Sequence, residues 1–124
     1  MRYLGIDWGD KKIGLAVSDE ELKIAFPRQV WSPETFWREI AKLIKEEKIV
    51  KIIVGLPLSF LSADTRQANR VKKAAEKIQK VTGLKIEFQN EILTTKMAEE
   101  TSGQKTADAS AAALILQSYL DKTK

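Results

Sequence analysis

Residues Ile49 to Val54 form an apolar run broken only by Lys51. A strand with one wet face alternates polar and apolar positions. A nearly continuous run instead suits a strand covered on both faces, and such strands lie at the centre of parallel sheets flanked by helices. The run stops at Gly55-Leu56-Pro57. The rest of the chain must therefore supply further strands, and helices to cover the sheet.

The pattern supplies both. Leu4, Ile6 and Trp8 alternate with Tyr3, Gly5 and Asp7, and Ile13, Leu15 and Val17 alternate with Gly14, Ala16 and Ser18. A third strand is expected from Lys23 to Val30, after a turn at Asp19-Glu20-Glu21. Together these read as an antiparallel meander. Ser32-Pro33-Glu34 opens a helix with a cap, a proline at the first helical position and an early acid. Phe36, Ile40, Leu43 and Ile44 mark its apolar face, and Lys45-Glu46-Glu47-Lys48 closes it. Asp64 and Gln67 have the spacing of a capping box. Ala68, Val71, Ala75 and Ile78 follow at helical intervals, with Gly83 as the stop. Leu84, Ile86 and Phe88 alternate with Lys85, Glu87 and Gln89 as a half-buried strand. A short helix is expected from Thr94 or Thr95 to Gly103. A last helix should begin near Asp108 and carry Ala111, Ala112, Leu114, Ile115 and Tyr119. The order βββ-α-β-α-β-α predicts one α/β domain over residues 1–124, a mixed sheet with helices on its faces.

Composition narrows the chemistry. Histidine and cysteine are both absent, so carboxylates, lysines, hydroxyls or metals must carry any reaction. With 44% apolar and 31% charged residues, a folded globular protein is expected. No apolar run approaches the ~20 residues of a membrane span. The start runs straight into strand-like sequence, so no signal peptide and a cytoplasmic location are expected. The net charge of +4 permits a polyanionic partner. Arg66, Arg70, Lys72, Lys73, Lys77 and Lys80 fall in one segment against Glu76, which reads either as a solvated helix face or as a phosphate-binding stripe. Arg66, Arg70 and Lys73 are spaced to share one side.

In open α/β sheets, ligands bind beyond the carboxyl ends of the parallel strands. The first, fourth and fifth strands should be mutually parallel, and their carboxyl ends carry Asp7, Gly55-Leu56-Pro57 and Glu91. Asp108, opening the last helix, can reach the same edge. Each acid has a plainer reading: Asp7 as a turn residue, Glu91 as an exposed strand end, Asp108 as a helix cap. Taken together, three converging acids repel one another unless a cation neutralises them, and Mg²⁺ or Mn²⁺ favour oxygen ligands. Gly9 leaves room for a ligand or ion to approach. Lys11 and Lys12, in the turn beside Asp7, read either as a solvated turn or as phosphate contacts.

These segments resemble the YqgF/RuvX family, Holliday junction resolvases and pre-ribosomal RNA nucleases of the ribonuclease H-like superfamily. The resemblance spans essentially the whole chain. It rests on Gly5-Ile6-Asp7-Trp8-Gly9, on Ile13-Gly14-Leu15-Ala16-Val17-Ser18-Asp19, on Val54-Gly55-Leu56-Pro57-Leu58, on Asn90-Glu91-Ile92-Leu93-Thr94-Thr95, and on the helix from Asp108 to Leu120. It implies a ribonuclease H-like, five-stranded mixed sheet in the order 3-2-1-4-5, strand 2 antiparallel, with helices on both faces. It also implies that Asp7, Glu91 and Asp108 are the catalytic, metal-binding triad, with Asp7 bridging two Mg²⁺ or Mn²⁺ ions ~4 Å apart. Lys11, Lys12, Arg66, Arg70 and Lys73 would then bind nucleic acid, either pre-16S ribosomal RNA or branched DNA, as a monomer or a homodimer. The chain departs from the family pattern at Asn90, Ile92 and Gln117, in the loop Ser59 to Ala63, and before Asp108. Changes around metal ligands commonly cost 10- to 100-fold in affinity or activity, so a nucleic-acid-binding factor with weakened catalysis is the alternative. A nucleotide-binding ATPase is a third reading, because Asp-x-Gly hairpins recur in actin-like folds. Those folds close two domains on a nucleotide, and 124 residues supply one.

Overall fold

The computed structural model describes residues 1–56, 66–90 and 107–122, with backbone alone at 66–68, 90 and 107–110. The expected capping box at Asp64, the loop from Ser59 to Ala63, Glu91, Ile92 and the short helix to Gly103 lie outside the described residues. The elements are β1 (Arg2–Asp7), β2 (Ile13–Ser18), β3 (Ala25–Trp31), α1 (Pro33–Glu47), β4 (Ile49–Leu56), α2 (Arg66–Thr82), β5 (Lys85–Asn90) and α3 (Ala107–Lys122).

The sheet order is β3-β2-β1-β4-β5, as the resemblance implied. β2 runs antiparallel to β1 and β3, while β4 runs parallel to β1 and β5. Alternation sorts the side chains between two cores. Leu4, Ile6, Leu15, Ile52 and Val54 face α1 and α2, where Phe36, Ile40, Leu43, Val71 and Ile78 cover them. Ala16 and Ile53 point the other way and are covered by Ala112, Ile115, Leu116, Tyr119 and Leu120 of α3. The run Ile49 to Val54 is thus covered on both faces from Ile52 onward. Val50, at its start, is exposed.

Local signals set the ends of the elements. Ser32 caps α1, its Oγ accepting from Thr35 N at 3.3 Å. Lys48 closes that helix in the left-handed region at φ 56°, its N–H directed to the carbonyls of Ile44 and Lys45. Gly83 ends α2 at φ 71°, a conformation open to a residue without Cβ. The third strand starts at Ala25, two residues later than expected from the sequence. The Asp19 carboxylate explains the delay: it accepts from Lys23 N at 2.7 Å and Ile24 N at 3.0 Å, holding residues 19–24 in a turn with Leu22 at φ 62°. β3 is an edge strand, and Pro27 sits beside a register shift opposite Leu15 and Ala16. Both features suit an edge that does not recruit another strand.

α3 lies unusually close to β1. A Cβ built on Gly5 would stand 2.7 Å from Leu116 Cβ and 2.9 Å from the Ala112 carbonyl oxygen. Gly5→Ala should therefore destabilise the fold by about 1–3 kcal/mol through overpacking, because the helix backbone has to give way. Chemical denaturation checks this, and a midpoint equal to wild type would show that α3 is free to shift.

Candidate active site

β1 ends at Asp7, whose Cα pairs with Gly14 across the hairpin. Tyr3 packs against the α3 core and Gly5 touches the helix directly. The two-residue period of the strand puts Asp7 on that same face. α3 crosses it from a known direction. Ala112 and Leu116 lie over Gly5. Further along, Tyr119 meets Tyr3 edge-on with ring centroids 6.1 Å apart, and Gln117 reaches Ala25 at the start of β3. The helix thus runs from the carboxyl end of β1 back towards its amino end. From Ala112 to Asp108 the helix rises about 6 Å. From Gly5 to Asp7 the strand advances about 6.6 Å. The first turn of α3, which holds the backbone of Asp108, and the last residue of β1 therefore meet at one edge.

β5 arrives at that edge as well. The register pairs Ile6 with Val54, Val54 with Phe88, and Leu56 with Asn90. Asn90 closes the strand, and Glu91 is the next residue in the chain, outside the described residues. Two strand spacings separate β1 from β5, about 9.6 Å. Three acids are the fitting donor chemistry for hard cations. Of the three candidate side chains only that of Asp7 is described, half-buried. Among the described residues no cluster of three acidic, histidine or cysteine side chains forms.

The hairpin after Asp7 differs from the expectation in one respect. The space left by the missing side chain of Gly9 is filled by the Lys12 carbonyl oxygen, which would lie 2.5 Å from a Cβ there. Gly9 is required by the turn itself and leaves no opening for a ligand. Lys11 and Lys12 are exposed in that turn. Arg70 and Lys73 are exposed on α2, as their spacing predicted, while the side chain of Arg66 lies outside the described residues. Arg70 is engaged: its Nη1 lies 2.7 Å from Asp10 Oδ2 in the same hairpin. Nothing in the sequence marks Asp10, whose partner is 60 residues away.

Gln117, where the family pattern has Glu, belongs to a different place. Its Oε1 accepts from Ala25 N at 2.9 Å, and its Nε2 donates to the Lys23 carbonyl at 2.9 Å. Only an amide both accepts and donates here. A glutamate would lose the second bond, so this departure fastens α3 to β3, away from the carboxyl edge.

The break at Lys51 in the apolar run also has a cause that the sequence did not reveal. Lys51 Nζ lies 2.6 Å from Glu87 Oε2 and donates to the Tyr119 hydroxyl at 2.7 Å, and that hydroxyl donates to Glu87. Lys51, then Tyr119, hold the Glu87 carboxyl below its ordinary pKa, while the bond to Glu87 raises that of Lys51. A depressed carboxyl pKa stabilises the fold above the ordinary carboxylate range, and that contribution is lost as the pH falls through the folded value. Glu87→Gln should cost about 1–2 kcal/mol at neutral pH, discounted for partial exposure. It should also flatten the loss of stability between about pH 5 and 3. Thermal melts across that range test the assignment, and parallel profiles for variant and wild type would refute it.

Comparison with known proteins accords with this architecture. The sequence pattern of the RuvX family, described as Holliday junction resolvase, matches residues 1–122. The chain belongs to the RuvX family. A relative from Dictyoglomus turgidum, named "Putative pre-16S rRNA nuclease", is 37% identical, with 98% of this chain and 94% of that protein covered. A relative of the same name from Anaplasma marginale is 36% identical over 99% of this chain and 86% of its own length. Among solved structures, RuvC of T. thermophilus in complex with Holliday junction substrate superposes with a TM-score of 0.60 at 15% identity, covering 99% of this chain and 96% of that one. The yeast mitochondrial Holliday junction resolvase Ydc2 gives 0.52 at 10% identity, covering 95% and 77%. At these identities the likeness is one of fold, the ribonuclease H-like sheet that the order β3-β2-β1-β4-β5 describes. No helix among the described residues is long and apolar enough to cross a membrane.

Proposed function

We propose that this protein is a divalent-metal-dependent endonuclease that acts in the cytoplasm on structured nucleic acid, with precursor 16S ribosomal RNA as its substrate. The observation that carries the reading is the close approach of α3 to β1 at Gly5, which directs the Asp108 end of the helix to the edge where β1 ends at Asp7. Family membership supports phosphodiester hydrolysis, and the names of the relatives favour the ribosomal precursor over a four-way DNA junction.

In this reading Asp7, Glu91 and Asp108 hold Mg²⁺ or Mn²⁺. The chemistry such ions supply when bound is activation of a water and neutralisation of charge on the phosphate. Asp7 ends β1, Glu91 follows the last residue of β5 in the chain, and the backbone of Asp108 lies in the first turn of α3, an order that supports a shared site. Lys11 and Lys12 of the hairpin, with Arg66, Arg70 and Lys73 of α2, hold the phosphates on either side of the cleaved bond, and affinity falls with added salt.

Asp7→Asn tests the mechanism. The change keeps the shape of the side chain and removes its charge, and a neutral amide is a poor ligand for a hard cation. Cleavage of a precursor RNA carrying the 16S 5′ flank, assayed in Mg²⁺ and in Mn²⁺ beside a four-way DNA junction, should be lost. Binding should persist, and the melting temperature in chelator should equal or exceed that of wild type, since a repulsion between acids is relieved. A variant that cuts as fast as wild type would overturn the mechanism. A wild-type protein that binds but cuts neither substrate would instead favour a binding factor, with Asn90 and Ile92 as the positions to revert.

A further inference from the structure

The chain has three tryptophans, and all three gather at one place. Trp8 follows Asp7 at the end of β1, Trp31 ends β3, and Trp37 lies in the second turn of α1. Phe36 joins them: its ring centroid lies 5.2 Å from Trp8, 6.4 Å from Trp31 and 5.0 Å from Trp37, and Trp8 lies 5.6 Å from Trp37. Phe36 is fully buried, whereas each tryptophan is half-buried. Packing alone accounts for Phe36. It leaves unexplained why three large aromatic residues stay only half-buried at the edge that carries Asp7.

The adjoining cations point to an occupant. Arg70, Lys73 and Lys77 stand at i, i+3 and i+7 on α2, one exposed stripe. Its ends rest on weak internal partners. Arg70 pairs with Asp10, but both side chains are more than half exposed, at 57% and 56%, a setting in which an ion pair contributes little. About 10.5 Å along the helix from Arg70, Lys77 Nζ sits 4.3 Å from the centroid of the Trp37 ring. A phosphate offers Arg70 what Asp10 offers it now. A nucleobase offers Trp37 a larger face than an ammonium does.

We infer that the α1–α2 face beside the carboxyl edge binds a strand of unpaired nucleotides, with Arg70 and Lys73 on its phosphates and a base stacked on Trp37 in place of Lys77. The inference rests on the nucleic-acid reading above and adds to it a preference for substrates with a single-stranded segment next to the cleaved bond. Base-on-aromatic stacking is tolerant of sequence, so the selection is for unpaired structure.

The test compares two RNA hairpins in chelator, where binding is read without cleavage: one blunt, one with a 5′ overhang of about eight unpaired nucleotides. The overhang hairpin should bind more tightly and quench tryptophan emission. Trp37→Leu should weaken overhang binding about 5- to 100-fold and leave the blunt hairpin unchanged, and Trp37→Phe should recover most of the loss. Asp10→Asn should tighten binding by releasing Arg70. Should Trp37→Leu fail to fold, Trp8→Phe with Trp31→Phe leaves Trp37 as the sole tryptophan, whose emission the overhang should still quench. Equal effects of Trp37→Leu on both hairpins, or no quenching of the sole tryptophan, overturn the stacking site. A wild type that binds neither hairpin overturns the nucleic-acid reading itself.

Discussion

The absence of one side chain sets the spacing between α3 and the sheet. At Gly5 the helix backbone and the Leu116 Cβ occupy the space where any other residue would put its own Cβ. Because α3 can sit that low, Ala112, Ile115 and Leu116 close over Ala16 and Ile53, and small alanines are enough to fill the interface. The same contact fixes how far the helix extends towards the carboxyl edge. A helix lifted by the width of a methyl group would loosen the α3 core and shift its first turn relative to the end of β1, so packing and site geometry are one constraint here.

Much of this was legible in the sequence because the signals are local. The Ser32-Pro33 start of α1, the stop at Gly83 and the alternation in β1 and β2 are short-range effects of capping and pleat, and the structure has them where the pattern put them; in β5 Ile86 packs on the core as expected, whereas Phe88 is exposed. Strand direction alone locates the carboxyl edge, and β1, β4 and β5 run parallel as expected. β3 starts later than the pattern indicates because one carboxylate, Asp19, bonds two backbone amides four and five residues ahead and delays the strand. Hydrophobic pattern is silent about such a turn.

What the sequence hid is long-range polar pairing. Lys51 read as an interruption, yet it is the centre of a network with Glu87 and Tyr119, residues 36 and 68 positions away. Gln117 read as a loss near the site, yet it ties α3 to β3 across 92 residues. Asp10 carries no signal of its own in the sequence, yet it holds Arg70. Each pairing depends on which elements the fold brings together, and no periodicity encodes that. The two cationic pairings differ in kind. Lys51 is largely enclosed, its side chain 19% exposed, and its pairing fastens the sheet to α3. Arg70 is open to solvent and can change partners.

The covering of β1 by α3 also has a consequence for synthesis. Gly5 and Ala16 leave the ribosome early, and the helix that covers them follows about a hundred residues later. At about 5–20 residues per second, that face of the β1–β2 hairpin stays bare for roughly 5–20 seconds. Its residues there are Gly5, Ala16 and Tyr3, small or amphipathic, while the bulky Leu4, Ile6 and Leu15 point to the side that α1 reaches first. The division of large and small side chains between the two faces thus matches the order in which they are buried, and the face that waits longest offers the least apolar surface for aggregation.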